Sequence, residues 1–140
     1  MTTTVPGAPP ADELPIAADR DVVRVRQAMR AFAIAAELGL VEQTKAVTAA
    51  SELARNTLVH GGGGTVTLEV VTDGRRRGVR ATFTDWGAGI PDVEQALVDG
   101  WSTGTGLGLG LSGSRRLVDA FDIDTVPGKG TTVSMTKWAR

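Results

Sequence analysis

The chain has 140 residues, a length typical of one domain, and its 15 basic and 16 acidic residues give a net charge of -1. This balance gives no general attraction to nucleic acid or anionic lipid, the absence of cysteine excludes disulfides, and a single histidine argues against a histidine-based zinc site. No apolar run is long enough to span a membrane and the first fifteen residues lack the features of a signal peptide, so we expect a cytoplasmic protein.

The first part of the chain predicts an irregular start and two helices. Residues 1–15 contain four prolines and are expected to be a disordered lead-in, so that a single folded domain occupies residues 16–140. Between Arg20 and Leu38 apolar residues recur at steps of three and four, which predicts an amphipathic helix ended by the next glycine. A second helix is predicted from about Val41 to Val59, and the glycine run 61–64 stops it.

The rest of the chain predicts two hairpins with a loop and a helix between them. Alternating apolar residues indicate paired strands at 66–70 and 79–84, joined by the turn DGRRRG. A third helix is predicted from Leu109 to Phe121, followed by strands at 123–126 and 131–138. The order helix, helix, hairpin, loop, helix, hairpin predicts an α+β sandwich with its helices on one face of the sheet.

The segment STGTGLGLGLSG, residues 102–113, indicates a phosphate-binding loop. Four glycines alternate there with threonine and leucine just before the predicted third helix: Gly104, Gly106, Gly108 and Gly110. Because glycine has no Cβ, the backbone can approach an oxyanion closely, and the helix that follows offers the positive end of its dipole. The alternative, on composition, is a flexible linker.

Two polar residues of the second helix are candidates for chemistry on such a ligand. Glu52 and Asn56 are four positions apart and so point about 40° from each other around the helix axis, which lets them serve one ligand. The amide oxygen of Asn56 suits Mg²⁺, and Glu52 can act as a general base. The alternative is that both are ordinary solvated side chains.

A carboxylate at a strand end is the next candidate. Asp85 ends the strand VRATFTD and precedes the turn WGAGIP. An ionised carboxylate only accepts hydrogen bonds, so it fits an exocyclic amino donor such as that of adenine, whereas the alternative is an Asx-type turn residue. Residues 128–131, GKGT, form a second turn, for which a plain hairpin is the alternative.

The order of these elements resembles that of a known family. Glu52 and Asn56, then DWGAGI, GTGLGLG and GKGT, are similar to the N, G1, G2 and G3 boxes of the GHKL ATPase superfamily. More narrowly, SELARN, DGWSTGTGLGLGLSGSRRLVDAF and KGTTVSMTKWAR resemble the RsbT-type serine kinases, the switch kinases of the stressosome. The resemblance implies a Bergerat sandwich with a mixed, mostly antiparallel sheet, and ATP with Mg²⁺ as its ligands.

The resemblance also implies a role for each matching residue. Glu52 is implied to be the catalytic base, Asn56 the magnesium ligand and Asp85 the adenine reader. The remaining residues fall into three groups: Gly87 and Gly89 as the turn beside adenine, Gly104, Gly106, Gly108 and Gly110 as the phosphate cradle, and Thr131 as support for the adenine end.

The function that the resemblance implies is partner switching. Kinases of this type phosphorylate a serine or threonine of a small STAS-domain partner and, once released, activate a downstream regulator such as a PP2C-type phosphatase. Two alternatives stay open: an anti-sigma factor that sequesters a sigma factor, and a nucleotide-gated binding module with negligible turnover. Residues 90–103 contain no lysine or arginine, so any cation at the γ-phosphate must come from Mg²⁺, another part of the chain or a partner.

Overall fold

The computed structural model of this chain describes residues 3–4, 7–87 and 110–140. Helices and strands follow each other in the predicted order, with two short strands added at the start. The elements are β1 (Thr3–Thr4), β2 (Asp12–Ile16), α1 (Asp19–Ala35), α2 (Leu40–Val59), β3 (Gly64–Asp73), β4 (Arg76–Asp85), α3 (Gly110–Leu117), β5 (Ala120–Val126) and β6 (Gly130–Trp138).

The strands form one sheet in the order β1-β3-β4-β6-β5, and β2 lies beside the first half of β3. Each pairing between the described strands is antiparallel. The α+β prediction is therefore confirmed, although the sheet is antiparallel rather than mixed in the part of the chain that the structure describes. The two hairpins β3–β4 and β5–β6 supply most of it, because each joins strands that are consecutive in sequence.

The helices cover one face of the sheet because alternate strand residues are apolar. The strand residues buried on this face are Val66, Leu68, Val70, Val79, Ala81, Phe83, Val133 and Met135. Larger side chains of α1 and mostly small side chains of α2 pack against them, namely Val22, Val25, Met29, Phe32, Ala46, Ala49, Ala50 and Leu53. The alanines of α2 let this helix approach both α1 and the sheet closely, which brings its polar edge near the strand ends.

The N-terminal segment differs from the prediction. Residues 12–15 belong to β2, which pairs with residues 64–68 of β3, so the expectation of disorder up to Ile16 is wrong for them. An edge strand has one side that forms no hydrogen bonds to another strand, and proline is tolerated there because its missing N–H is not needed. The proline-rich composition therefore hid a short border strand that contains Pro15.

The third helix is shorter than predicted: α3 ends at Leu117, and Phe121 lies in β5. Asp119 explains the difference. Its N–H donates to the Thr136 carbonyl oxygen at 2.9 Å, and its carboxylate accepts the N–H of Trp138 at 2.8 Å. These bonds attach the chain to β6 just after the helix, so that the following residues join the sheet.

Asp119 also forms ion pairs with two basic residues at the C-terminal end of the chain. Its Oδ1 atom lies 2.7 Å from the Arg140 guanidinium and 3.6 Å from the ammonium of Lys137, whose side chain is only 3% exposed. Desolvation opposes ionisation of the Asp119 carboxyl, but the Trp138 N–H and the two cations outweigh it and hold its pKa below the ordinary value. The folded state therefore favours the charged form of this side chain.

We expect Asp119→Asn to lower the free energy of unfolding by about 2 kcal/mol at neutral pH, because the buried ammonium loses its carboxylate. Since the pKa is lower in the folded than in the unfolded chain, this stabilisation is complete above the ordinary value of 3.8 and is lost as the pH falls through the folded value. Urea unfolding should show that the difference in free energy of unfolding between the unchanged protein and Asp119→Asn is smaller at about pH 3 than at neutral pH. An equal difference at both pH values would contradict a stabilising role of the ionised Asp119 carboxylate.

Candidate functional site

The polar edge of α2 lies at the border between core and surface. Glu52 and Asn56 are one turn apart and both half-buried, whereas their neighbours Leu53 and Thr57 are buried. The Thr57 hydroxyl donates to the Leu53 carbonyl oxygen at 2.9 Å, so Thr57 needs no solvent partner. Burial of these neighbours fixes the rotation of the helix and keeps the two polar side chains together at its edge, as the sequence predicts.

The end of α2 meets the end of β4. The Asn56 carbonyl oxygen accepts the N–H of His60 at 2.9 Å and that of Gly61 at 3.2 Å, which turns the chain after the helix. Gly61 then packs directly against the Asp85 side chain, since a Cβ added at Gly61 would lie 2.6 Å from the Asp85 Oδ2 atom. A glycine at this position is what allows the carboxylate to lie beside the helix end.

Asp85 itself forms a tight turn with Gly87. Its Oδ1 atom accepts the Gly87 N–H at 2.9 Å, so the Asx-type turn considered from the sequence is present. Gly87 also packs closely on the preceding turn, because an added Cβ would lie 2.9 Å from the Gly61 carbonyl oxygen. An ionised carboxylate has about four acceptor sites, so the turn orients Asp85 and leaves it able to accept from a ligand.

Thr131 lies next to Asp85 through strand pairing. Asp85 is opposite Thr131 of β6, and Thr131 is opposite Thr125 of β5. All three lie on the helix-covered face, because each is two residues from a residue of that face, as Phe83 is from Asp85. The structure thus aligns three polar side chains in one row at the end of the sheet.

Thr125 was missed by the sequence analysis. Its Oγ1 atom lies 3.0 Å from that of Thr131, which is only 6% exposed. The alternation of β5 placed Thr125 on the same face as Ile123, but nothing in the sequence reveals which residue of β6 it pairs with. Only the register identifies it as part of the row.

The GKGT turn brings β6 close to the end of β4. Gly130 has a φ of 123°, and a Cβ added there would lie 2.9 Å from the Trp86 Cα atom. The turn is a hairpin, closed by the Lys129 N–H on the Val126 carbonyl oxygen at 2.8 Å. It is therefore both the plain hairpin considered above and the element that holds Thr131 beside the Asp85 turn.

The phosphate-loop prediction falls almost wholly outside the described residues. Gly89, Gly104, Gly106 and Gly108 lie there, and so does the segment 90–103. Gly110 is described as the first residue of α3. This helix packs against α2, which carries the predicted base and magnesium ligand, and its Leu111 is part of the core.

The chemistry of the described side chains fits a magnesium nucleotide. Among residues 3–4, 7–87 and 110–140 there is no group of three histidine, aspartate or glutamate side chains that could enclose a metal. Mg²⁺ requires no such group, because it takes one or two protein ligands and completes its shell with phosphate oxygens and water. The half-buried Asn56 side chain carries an amide oxygen of the type that Mg²⁺ accepts.

None of the described helices combines the length and the apolar content that crossing a bilayer requires.

Comparison with known proteins gives relatives along most of the chain. Residues 41–139 match the family described as histidine kinase-, DNA gyrase B-, and HSP90-like ATPase. The serine/threonine-protein kinase RsbT of Bacillus subtilis (strain 168) is 42% identical over 120 residues, which are 86% of this chain and 90% of that protein. An anti-sigma F factor of Bacillus licheniformis is 32% identical over 119 residues, 80% of each chain.

A solved structure has a similar fold. The structure of the RsbU and RsbW domains of a Mycobacterium tuberculosis protein superposes with a TM-score of 0.64 at 23% identity. The match covers 92% of this chain and 32% of that longer one. This similarity concerns the fold alone.

Proposed function

We propose that the phosphoryl acceptor of this chain is a STAS-domain protein. The chain belongs to the histidine kinase-, DNA gyrase B-, and HSP90-like ATPase family, and within it the chain is a serine/threonine protein kinase of the RsbT type. The kinase acts in partner switching. We infer that phosphorylation releases the STAS-domain partner from the kinase, and that the kinase can then bind a downstream regulator such as a PP2C-type phosphatase. The proposed place of action is the cytoplasm. The identity to the Bacillus subtilis kinase supports this assignment.

One observation supports the assignment of the site: the turn at Gly61 joins the polar edge of α2 to Asp85. The Asn56 carbonyl oxygen accepts hydrogen bonds from the His60 and Gly61 N–H groups of this turn. Gly61 packs against the Asp85 carboxylate. Residues assigned to opposite ends of one nucleotide, Asn56 at the phosphates and Asp85 at adenine, are therefore linked by a few residues of backbone. This main-chain link supports the proposal that the end of α2 and the end of β4 border one ligand.

At the adenine end, the chain supplies acceptors. The Asp85 carboxylate, oriented by the Gly87 N–H, accepts from the exocyclic amino group, and Thr131 supports the same end. At the phosphate end, Asn56 is the proposed Mg²⁺ ligand, and the glycines 104, 106, 108 and 110 are the proposed cradle. Bound Mg²⁺ would neutralise charge on the phosphate oxygens.

Glu52 is the proposed general base. It lies one helical turn before Asn56 on the same edge, so it can face the γ-phosphate end of the nucleotide. There it accepts the proton of the acceptor serine or threonine hydroxyl as that oxygen bonds to the γ-phosphorus and the bond to the bridging oxygen of ADP breaks. The products are the phosphorylated partner and ADP.

The test is transfer from radiolabelled ATP to a purified STAS-domain protein. We expect label on a serine or threonine of that protein in the presence of Mg²⁺. A second candidate, sequestration of a sigma factor, is favoured by the similarity to anti-sigma F factors. A chain that binds ATP and a sigma factor tightly but labels no STAS-domain protein would support that candidate instead.

The magnesium assignment predicts a selective loss in Asn56→Ala. Removing even an outer partner of a metal ligand typically costs about tenfold in metal affinity, so removing the ligand itself should weaken MgATP binding by at least about tenfold. Binding of metal-free ATP should change little. Calorimetry with and without Mg²⁺ measures both, and Val59→Ala, an exposed residue of the same helix end, serves as the control. Equal losses in both conditions would remove Asn56 from this role.

A further inference from the structure

The turn between β3 and β4 carries three consecutive arginines, Arg75, Arg76 and Arg77. β4 begins at Arg76, has 10 residues and ends at Asp85. At the usual rise of about 3.3 Å per residue, the turn therefore lies about 30 Å from Asp85 along the strand. A ligand bound at these arginines does not overlap the proposed nucleotide site.

The surrounding structure holds the Arg76 side chain in one position. The Thr72 hydroxyl donates to the Arg76 carbonyl oxygen at 2.9 Å, and the guanidinium group lies 3.0 Å from the Oδ2 atom of Asp73. The guanidinium carbon is 4.7 Å from the centre of the Trp138 ring, within the range of a cation–π contact. This ring packs directly on Gly78, where an added Cβ would lie 2.7 Å from the Trp138 Cε3 atom. The Arg76 side chain is nevertheless 51% exposed, so it is both fixed and open to a ligand.

Basic side chains outnumber acidic ones around this turn. The end of β6 lies beside it, because the Ala139 N–H donates to the Arg77 carbonyl oxygen at 2.7 Å. We call four residues the basic end: Arg75, Arg76, Arg77 and Arg140. Their acidic partners are Glu37, Asp73 and Asp119, and Asp119 also pairs with the buried Lys137. The exposed Arg75 has no ion pair among the described residues, so the basic end has an excess of positive charge although the whole chain has a net charge of -1.

We propose that the basic end, with Arg76 as its central contact, is a docking surface for an acidic segment of a partner protein. A guanidinium group has five N–H donors in a planar fork, and its contact with Asp73 leaves donors for a second carboxylate. Because the Trp138 ring and Asp73 already hold Arg76, little side-chain entropy is lost when a partner binds. The inference goes beyond the proposed kinase activity and does not depend on a bound nucleotide.

Carboxylates fit this surface better than nucleic acid does. Proteins that bind single strands expose aromatic rings on which bases stack, but Trp138 is only 9% exposed. Nucleic acid also requires a continuous run of phosphate contacts, and here the acidic partners of the arginines interrupt the positive charge. A short acidic peptide needs only a few guanidinium contacts.

The first measurement is the binding of a fluorescently labelled oligo-glutamate peptide to the full chain, followed by anisotropy. An oligo-glutamine peptide of equal length is the uncharged control, and we expect only the glutamate peptide to bind. In NMR spectra the indole N–H signal of Trp138 should shift as this peptide is added, because Arg76 lies over that ring. The signal of Trp86, which follows the other end of β4, should stay in place.

Two substitutions of Arg76 separate a structured contact from general attraction between charges. Arg76→Lys keeps the charge but loses the planar fork, and Arg76→Gln loses both. We expect each to weaken binding of the glutamate peptide by about fivefold, the effect of one well-placed exposed ion pair. Arg26→Gln removes an exposed arginine from α1 and should bind the peptide as the unchanged protein does. Circular dichroism of the three variants checks that they are folded.

Three results would overturn the inference. The first is that the unchanged protein does not bind the glutamate peptide. The second is equal affinity of Arg76→Lys and the unchanged protein, which would show attraction between charges without a structured contact. The third is tighter binding of an oligo-thymidine strand of equal length, which would assign the surface to nucleic acid. None of these results bears on phosphoryl transfer, which is tested separately.

Discussion

Glu52→Gln is expected to slow phosphoryl transfer to the STAS-domain partner by about 10²- to 10⁴-fold, the usual contribution of a general base. Glutamine keeps the shape of the side chain but cannot accept the proton of the attacking hydroxyl. Glu52 is assigned no contact with adenine or Mg²⁺, so the binding of ATP and of the partner should be preserved. Single-turnover transfer from radiolabelled ATP separates the chemical step from binding.

The matched control for this prediction is Glu42→Gln, which makes the same change of charge in the first turn of the same helix. It should transfer phosphate at the normal rate. If Glu52→Gln also transfers at the normal rate, Glu52 is structural or acts only through solvent. If both variants lose ATP binding, the overall charge of α2 affects nucleotide binding, and the result does not identify Glu52 as a general base.

Gly61→Ala is expected to weaken ATP binding by about 10- to 100-fold. The added methyl group would overlap the Asp85 side chain, where a Cβ lies 2.6 Å from the Oδ2 atom, so the carboxylate must move away from its position beside the helix end. Such overpacking typically costs about 1–3 kcal/mol, and a loss of about 10- to 100-fold corresponds to about 1.4–2.8 kcal/mol, within that range. Titration of the variant with ATP measures the loss.

Gly62 provides the control for this substitution. Its φ is +74° and a Cβ added there would meet no atom within 4 Å, so Gly62→Asn introduces a residue type that tolerates this backbone conformation at a position with room for a Cβ. ATP affinity should stay within about threefold of that of the unchanged protein. Normal ATP binding by Gly61→Ala would show that the contact with Asp85 does not determine the adenine site.

Much of this fold can be predicted from periodicity. The steps of three and four in α1 and the alternation in β3 and β4 reflect burial on one side of each element, and the structure confirms these elements with ends shifted by a few residues. The third helix was predicted too long because Asp119 makes its bonds to β6, a strand still ahead in the sequence. Such a contact leaves no local pattern.

The candidate site shows the same limit more sharply. Glu52 and Asn56 could be recognised together because four positions on a helix imply one edge. The contact of Gly61 with Asp85 and the pairing of Thr125 with Thr131 depend on how separate elements meet. Gly61 was visible only as part of a run of glycines that ends a helix, and its role beside the carboxylate becomes apparent once the sheet is formed.

The border strand β2 has a consequence for how copies of this protein behave towards each other. An uncovered strand presents free N–H and C=O groups, onto which a strand of another molecule can add. β2 covers the first half of β3 and itself carries Asp12, Glu13 and Pro15, two charges and a residue without an N–H, all of which discourage further strand addition. The segment whose composition suggested disorder thus protects a hydrogen-bonding edge against self-association into larger sheets.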